Sequence, residues 1–142
     1  MSTTTDGNLY YGIQLGESRP WTNEDLQYED YDWEEYYAMK IGVKKPDAEY
    51  SDNTKHLYKE YWDNKHTLIK NSRCSIGIHC SFDYPLYYVC ITKSKVTAPR
   101  GTPIVIKSLE IEDGWDDALK DFCKIMDIEY EQPHWWLSSL WG

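Results

Sequence analysis

The chain has 142 residues, the size of one domain, and its 41% hydrophobic and 27% charged residues place it among globular proteins rather than disordered tails. Twenty-four acidic residues against fifteen basic ones give a net charge of -9. That balance argues against a nucleic-acid binder that works by neutralising phosphates, and favours an electropositive partner. No apolar run approaches the ~20 residues of a membrane span, and the opening MSTTTDGN has neither a basic nor an apolar signal region. A single domain over residues 1–142, acting in a cytoplasm, is expected.

Near the start, Leu9, Tyr11, Ile13 and Leu15 alternate with Tyr10, Gly12 and Gln14. A period of two predicts a half-buried strand over 9–15. From Glu24 to Glu35 the chain then carries seven acids and no base, interleaved with Leu26, Tyr28, Tyr31 and Trp33. Asp32 with Glu35 resembles a capping box, so a short helix is expected from about Trp33 to Gly42. Pro46 breaks the path. Ser51 offers a second N-cap, for a longer helix reaching about Lys70. Leu57, Tyr58, Tyr61, Trp62, Leu68 and Ile69 form its apolar side, while Lys55, Lys59, Lys65 and Lys70 point elsewhere.

The cleanest alternation follows, with Cys74, Ile76, Ile78, Cys80 and Phe82 on one face of a strand over 74–82. A second strand over 87–92 carries Tyr87, Val89 and Ile91. A shared core face would pair Phe82 with Tyr87 and Cys80 with Val89. Beyond the Pro99-Arg100-Gly101 loop, a further strand over 104–111 extends the sheet. Asp113 with Asp116 caps a last helix whose stripe is Trp115, Leu119, Phe122 and Met126. The terminal run from His134 to Gly142 holds Trp135, Trp136 and Trp141, which are expected to dock on the body or on a partner. The fold class is therefore α+β, a small antiparallel sheet with about three helices packed on it.

Chemistry-bearing motifs are sparse. Four cysteines (Cys74, Cys80, Cys90, Cys123) make no CxxC pair and read as reduced, buried thiols, so no metal site and no cofactor are expected. His79-Cys80-Ser81 is a single H-x-S triplet, whereas two-histidine phosphoesterases need two. Cys80 would lie on the core face, where desolvation disfavours a thiolate. No catalytic residue is assigned, and the chain is read as a non-enzyme. Thirteen tyrosines and seven tryptophans against two phenylalanines are a different signal, since Tyr and Trp suit interfaces as well as cores.

Leu9-Tyr10-Tyr11-Gly12-Ile13, Asp83-Tyr84-Pro85-Leu86-Tyr87 and Trp136-Leu137-Ser138-Ser139-Leu140-Trp141-Gly142 together resemble a family of small, acidic, uncharacterised accessory proteins of tailed bacteriophages. That resemblance implies a setting, the cytoplasm of an infected bacterium, and carries over no site. In this setting two functions are expected. The first is a stoichiometric inhibitor of a bacterial defence or nucleic-acid enzyme, of anti-CRISPR or anti-restriction type. Its partner-binding residues are Glu24, Asp25, Glu29, Asp30, Tyr31, Asp32, Trp33, Glu34 and Glu35, directed at a basic protein surface. The alternative is a sponge that sequesters a nucleotide defence signal, with aromatics stacking the base and Arg100 or nearby lysines holding phosphate. It requires a basic pocket in the middle third of the chain. Neither involves direct nucleic-acid or membrane binding, and a homo-oligomer is compatible with both.

Overall fold

A computed structural model describes residues 6–17, 33–80 and 85–139, apart from the side chains of residues 79, 80 and 85. The elements in chain order are β1 (Gly7–Gly16), α1 (Trp33–Ile41), α2 (Lys55–Ser72), β2 (Cys74–Cys80), β3 (Pro85–Ile91), a 3-10 turn (Thr92–Ser94), β4 (Val96–Ala98), α3 (Trp115–Ile125) and β5 (His134–Ser139). All strand pairings among the described residues are antiparallel, and these residues form a small α+β fold with three helices and five strands.

Strand β1 is the centre of the sheet. Gly12 faces Cys90 of β3 on one side and His134 of β5 on the other, while Gly7 faces Ala98 of β4 and Ser139 of β5. Hence β3 and β4 share one flank of β1 and behave as one strand interrupted by the 3-10 turn. An interruption of this kind would orphan a ladder donor. Ser94 repairs it, since its Oγ accepts from Tyr11 N–H at 2.9 Å and donates to the Ile91 carbonyl at 2.6 Å.

Helices cover one face of the sheet. Tyr11, Ile13, Ile76, Tyr87, Val89 and Ile91 from the strands meet Tyr36 and Tyr37 of α1 and Trp115, Leu119, Phe122 and Cys123 of α3. Tyr37 stacks on Phe122 at 5.1 Å. The helical stripe expected from Trp115 to Met126 is buried as a unit, and α1 ends where expected, before Gly42 at φ 104°.

A smaller cluster of Tyr10, Tyr88 and Cys90, with Trp136 beside it, fills the opposite face. Tyr10 and Tyr88 stack at 3.9 Å with only 12° between their planes. Outer strands β2 and β5 approach each other although neither bonds to the other, so the sheet curls.

Several expectations change. Strands 74–82 and 87–92 are paired, but in a different register: Ile78 faces Tyr87 and Ile76 faces Val89, not Phe82 with Tyr87 and Cys80 with Val89. The reason is that β3 starts at Pro85, whose missing N–H is tolerated at the first residue of a strand, so the four-residue connection is 81–84. Residues 104–111 are not a strand; β4 and β5 supply the remaining pairings to β1. The long helix starts at Lys55 rather than just after Ser51, because Thr54 N–H bonds the Ser51 carbonyl at 3.1 Å in a preceding turn. Nor does Asp113 cap α3: Gly114, at φ 87°, occupies the N-cap position. The C-terminal tryptophans Trp135 and Trp136 are docked in β5, while Trp141 lies outside the described residues.

Candidate functional site

Of the nine acidic-segment residues expected to bind a partner, Glu24, Asp25, Glu29, Asp30, Tyr31 and Asp32 lie outside the described residues. Glu34 and Glu35 sit in the first turn of α1, where carboxylates favour the helix N-terminus. Trp33 packs edge-on against Phe122 at 5.7 Å, so its ring belongs to the core that holds α1 on α3. Arg100 lies on the turn after β4, its backbone N–H bonded to Asp6 Oδ1 at 3.1 Å.

Among the described residues, the most open aromatic surface is elsewhere, at the start of α2. Thr54 draws the chain into position: its Oγ1 accepts from Ser51 N–H at 2.8 Å and donates to the Glu49 carbonyl at 2.7 Å. Tyr58 then anchors the incoming loop by donating its hydroxyl to the Ala48 carbonyl at 2.6 Å. These bonds set Tyr50 edge-on to Tyr58 at 5.4 Å and nearly parallel to Trp62 at 6.0 Å and 28°. Tyr58 is buried, but Tyr50 is 55% and Trp62 48% exposed.

Around these rings opens a cavity of about 500 Å³ lined by Tyr50, Asp52, Lys55, His56, Lys59 and Trp62. Its size falls in the range of small-ligand clefts. Lys55, Lys59 and Trp62 follow one another at i, i+4 and i+7, one stripe of the helix. Two lysines and a histidine thus stand against one carboxylate, in a chain whose overall charge is -9. Chemically, the groove offers two π faces and mobile ammonium donors, and it is suited to a planar anion.

A second cavity, of about 470 Å³, lies between the end of α2 and the start of α3. Arg73 stands there opposite Asp117 and Asp121, so its charge is mixed and no single ligand sign is favoured. The three described thiols are unsuited to catalysis: burial pushes Cys74 up to about 12 and Cys123 to about 11, and raises Cys90 as well. No group of three or more His, Cys, Asp or Glu among the described residues is arranged to hold a metal ion. No described helix is long and apolar enough to cross a membrane.

Sequence reasoning missed the groove because it assigned Leu57 and Trp62 to the packed side of α2. Both are exposed, and only Tyr58 and Tyr61 are buried along this stretch. A visible signal was the width of the apolar stripe: Leu57, Tyr58, Tyr61 and Trp62 span more of the helix than one packed face can hide. Comparison with protein-family models, with curated proteins and with solved structures gives no match for this chain.

Proposed function

We propose that this chain is a binding protein rather than an enzyme, and that its groove on α2 sequesters an anionic ligand with a flat ring, a nucleotide being the fitting class. One observation carries the reading: two half-exposed aromatic rings, Tyr50 and Trp62, lie in one concave surface with Lys55, His56 and Lys59. Base stacking on an aromatic side chain is worth about 1–3 kcal/mol per base, and paired ammonium groups add charge-assisted bonds to phosphate. In the phage setting implied by the sequence resemblance, such a ligand is a nucleotide signal of host defence.

Titration with mononucleotides and cyclic dinucleotides, followed by calorimetry, tests this directly. Binding should saturate at one ligand per groove and weaken at least tenfold in Trp62→Ala and in Lys55→Glu/Lys59→Glu, with unchanged circular dichroism. Absence of saturable binding to any of them would refute the reading.

Stoichiometric inhibition of a basic host enzyme is the second reading. It is favoured by the acid run that continues through Glu34 and Glu35 into the first turn of α1. Its mark is kinetic: replacing Glu29, Asp30, Asp32, Glu34 and Glu35 by Gln or Asn should slow association with the partner and flatten its salt dependence.

A further inference from the structure

The cavity of about 470 Å³ between the end of α2 and the start of α3 has Arg73 on one side and Asp117 and Asp121 on the other. Direct contact between these opposite charges would close it. They are not in contact: among the described residues the ion pairs are Lys40–Asp127 and Lys93–Glu112, and neither includes Arg73, Asp117 or Asp121. The two carboxylates stand at i and i+4 on α3, where like charges repel. A cation between them would relieve that repulsion. Asp116, their neighbour, is already engaged by the Tyr11 hydroxyl.

The backbone places the arginine in a way that a solvated surface charge does not need. Position 73 is the C-cap of α2 at φ 63°, a left-handed conformation usually given to Gly or Asn. Its carbonyl accepts from the Thr92 N–H at 2.9 Å, which fixes the base of the side chain. Across the cavity mouth, Gly114 leaves room for the guanidinium, since a Cβ there would stand 3.1 Å from Arg73 Nη1. The guanidinium therefore lies against the N-cap of α3, where an anion bound to it also meets the positive end of the helix.

We propose that this cavity binds a small zwitterion with an apolar body, the class of the free apolar amino acids. The ligand carboxylate meets Arg73, its ammonium sits at Asp117 and Asp121, and its side chain lies against the stacked rings of Tyr37 and Phe122. A guanidinium holds a carboxylate through two parallel N–H donors, and an ammonium has three donors to share between two carboxylates. Mixed charge disfavours a ligand of either sign alone and suits one that carries both. The volume falls in the range of small-ligand sites. This site is at the opposite end of the 18-residue α2 from the aromatic groove and is independent of what that groove binds.

Titration of the full chain with L-leucine, L-phenylalanine, N-acetyl-L-leucine and L-leucinamide, followed by calorimetry and amide chemical shifts, tests each charge separately. One of the two free amino acids should bind once per chain. The blocked forms, each lacking one charge, should bind at least tenfold more weakly than L-leucine. Substitutions should then divide the two halves of the site. Arg73→Asn, which tolerates the left-handed backbone, should weaken L-leucine at least tenfold and leave L-leucinamide unaffected. Asp117→Asn/Asp121→Asn should weaken L-leucine as much and leave N-acetyl-L-leucine unaffected. The ligand series needs no variant, so misfolding of one would not obscure the result. Absence of saturable binding by both free amino acids would overturn the proposal. So would a blocked form that binds as tightly as L-leucine, or an Arg73→Asn chain that loses L-leucinamide equally.

Discussion

Tyr11 of β1 donates its hydroxyl to Asp116 Oδ1 of α3 at 2.6 Å, joining residues 105 positions apart in the chain. The Tyr11 ring touches Trp115 at 5.8 Å and Trp135 at 5.6 Å, and those two rings touch each other at 6.1 Å, so a three-ring cluster ties the central strand, the last helix and the last strand together. Burial, followed by the bond to Asp116, raises the Tyr11 pKa far above the ordinary tyrosine value. Tyr11→Phe keeps the ring and removes only the bond to a charged acceptor. It should cost about 1–2 kcal/mol, read as a shift of the denaturation midpoint at constant slope. A midpoint unchanged within error would mean that ring packing alone positions α3.

How much of this was legible in the sequence depended on whether a residue answers to local periodicity or to distant partners. The alternation of Leu9, Tyr11, Ile13 and Leu15 located β1, and the spacing of Trp115, Leu119 and Phe122 located α3 with its buried side. Periodicity could not show that Val96–Ala98 joins the sheet, because three residues carry no period and β4 exists only through its pairing with β1. It misassigned 104–111 for the converse reason. Ile104 to Ile111 has strand composition, but no strand among the described residues pairs with it. At the groove, residue spacing showed only that α2 carries a wide apolar stripe; that Tyr50 joins Trp62 there depended on the Tyr58–Ala48 bond, which folds a loop back onto the helix and cannot be read from periodicity.

Glycine at position 77 follows from Tyr88. On the curled face, Tyr88 lies across the backbone of its register partner, and a Cβ at Gly77 would be driven into the Tyr88 ring. Tyr88 cannot move away freely, since it stacks on Tyr10 and lies under Lys95, whose Nζ is 5.6 Å from the ring centre. Gly77→Ala should therefore destabilise by about 1–3 kcal/mol through overpacking. Gly16→Ala would also test the principle by contrast, since space there is open but φ is 83°, and strain rather than collision sets its cost. Thermal melting of the Gly77→Ala and Gly77→Ala/Tyr88→Ala proteins distinguishes collision from lost strand propensity. If collision dominates, the alanine at 77 should cost much less once the ring is gone.

The link between α1 and the chain after α3 predicts a pH dependence. Lys40 Nζ lies 2.6 Å from Asp127 Oδ2, and the Tyr36 hydroxyl donates to the same oxygen at 3.3 Å. Bonding to Lys40 holds the Asp127 carboxyl below the usual carboxylate value and Lys40 above the usual ammonium value. For the carboxylate, the stabilisation is present above its unfolded pKa and is lost as pH falls through the lowered folded value. For the lysine, it is present below its unfolded pKa and is lost as pH rises through the raised one. Asp127→Asn is the suitable probe, because position 127 has φ 58° and Asn tolerates that conformation as Asp does. The melting-temperature difference between parent and variant should be largest near neutral pH and shrink toward pH 3. A difference independent of pH would show that the ion pair contributes nothing.

The C-terminal strand makes the strongest stability claim. From Gly7↔Ser139 to Gly12↔His134, β5 completes the ladder on one flank of β1, and its two tryptophans serve both faces of the sheet. Trp135 packs with Tyr11 and Trp115 beneath the helices, while Trp136 donates its indole N–H to the Gly12 carbonyl at 2.9 Å on the curled face. Burying one such side chain is worth about 1.5–3 kcal/mol, against a net stability of about 5–15 kcal/mol for a domain of this size. Deleting residues 134–142 removes both rings and uncovers Tyr10 and Tyr11, so the truncated chain should melt many degrees lower or fail to accumulate in soluble form. Trp135→Ala and Trp136→Ala should each cost about 3–5 kcal/mol. Leu137→Ser, on the same strand but 79% exposed, should be nearly neutral. If all three substitutions had equal effects, or if the truncated protein melted like the full chain, the tryptophans would belong to a partner-binding surface and β5 would be dispensable to the fold.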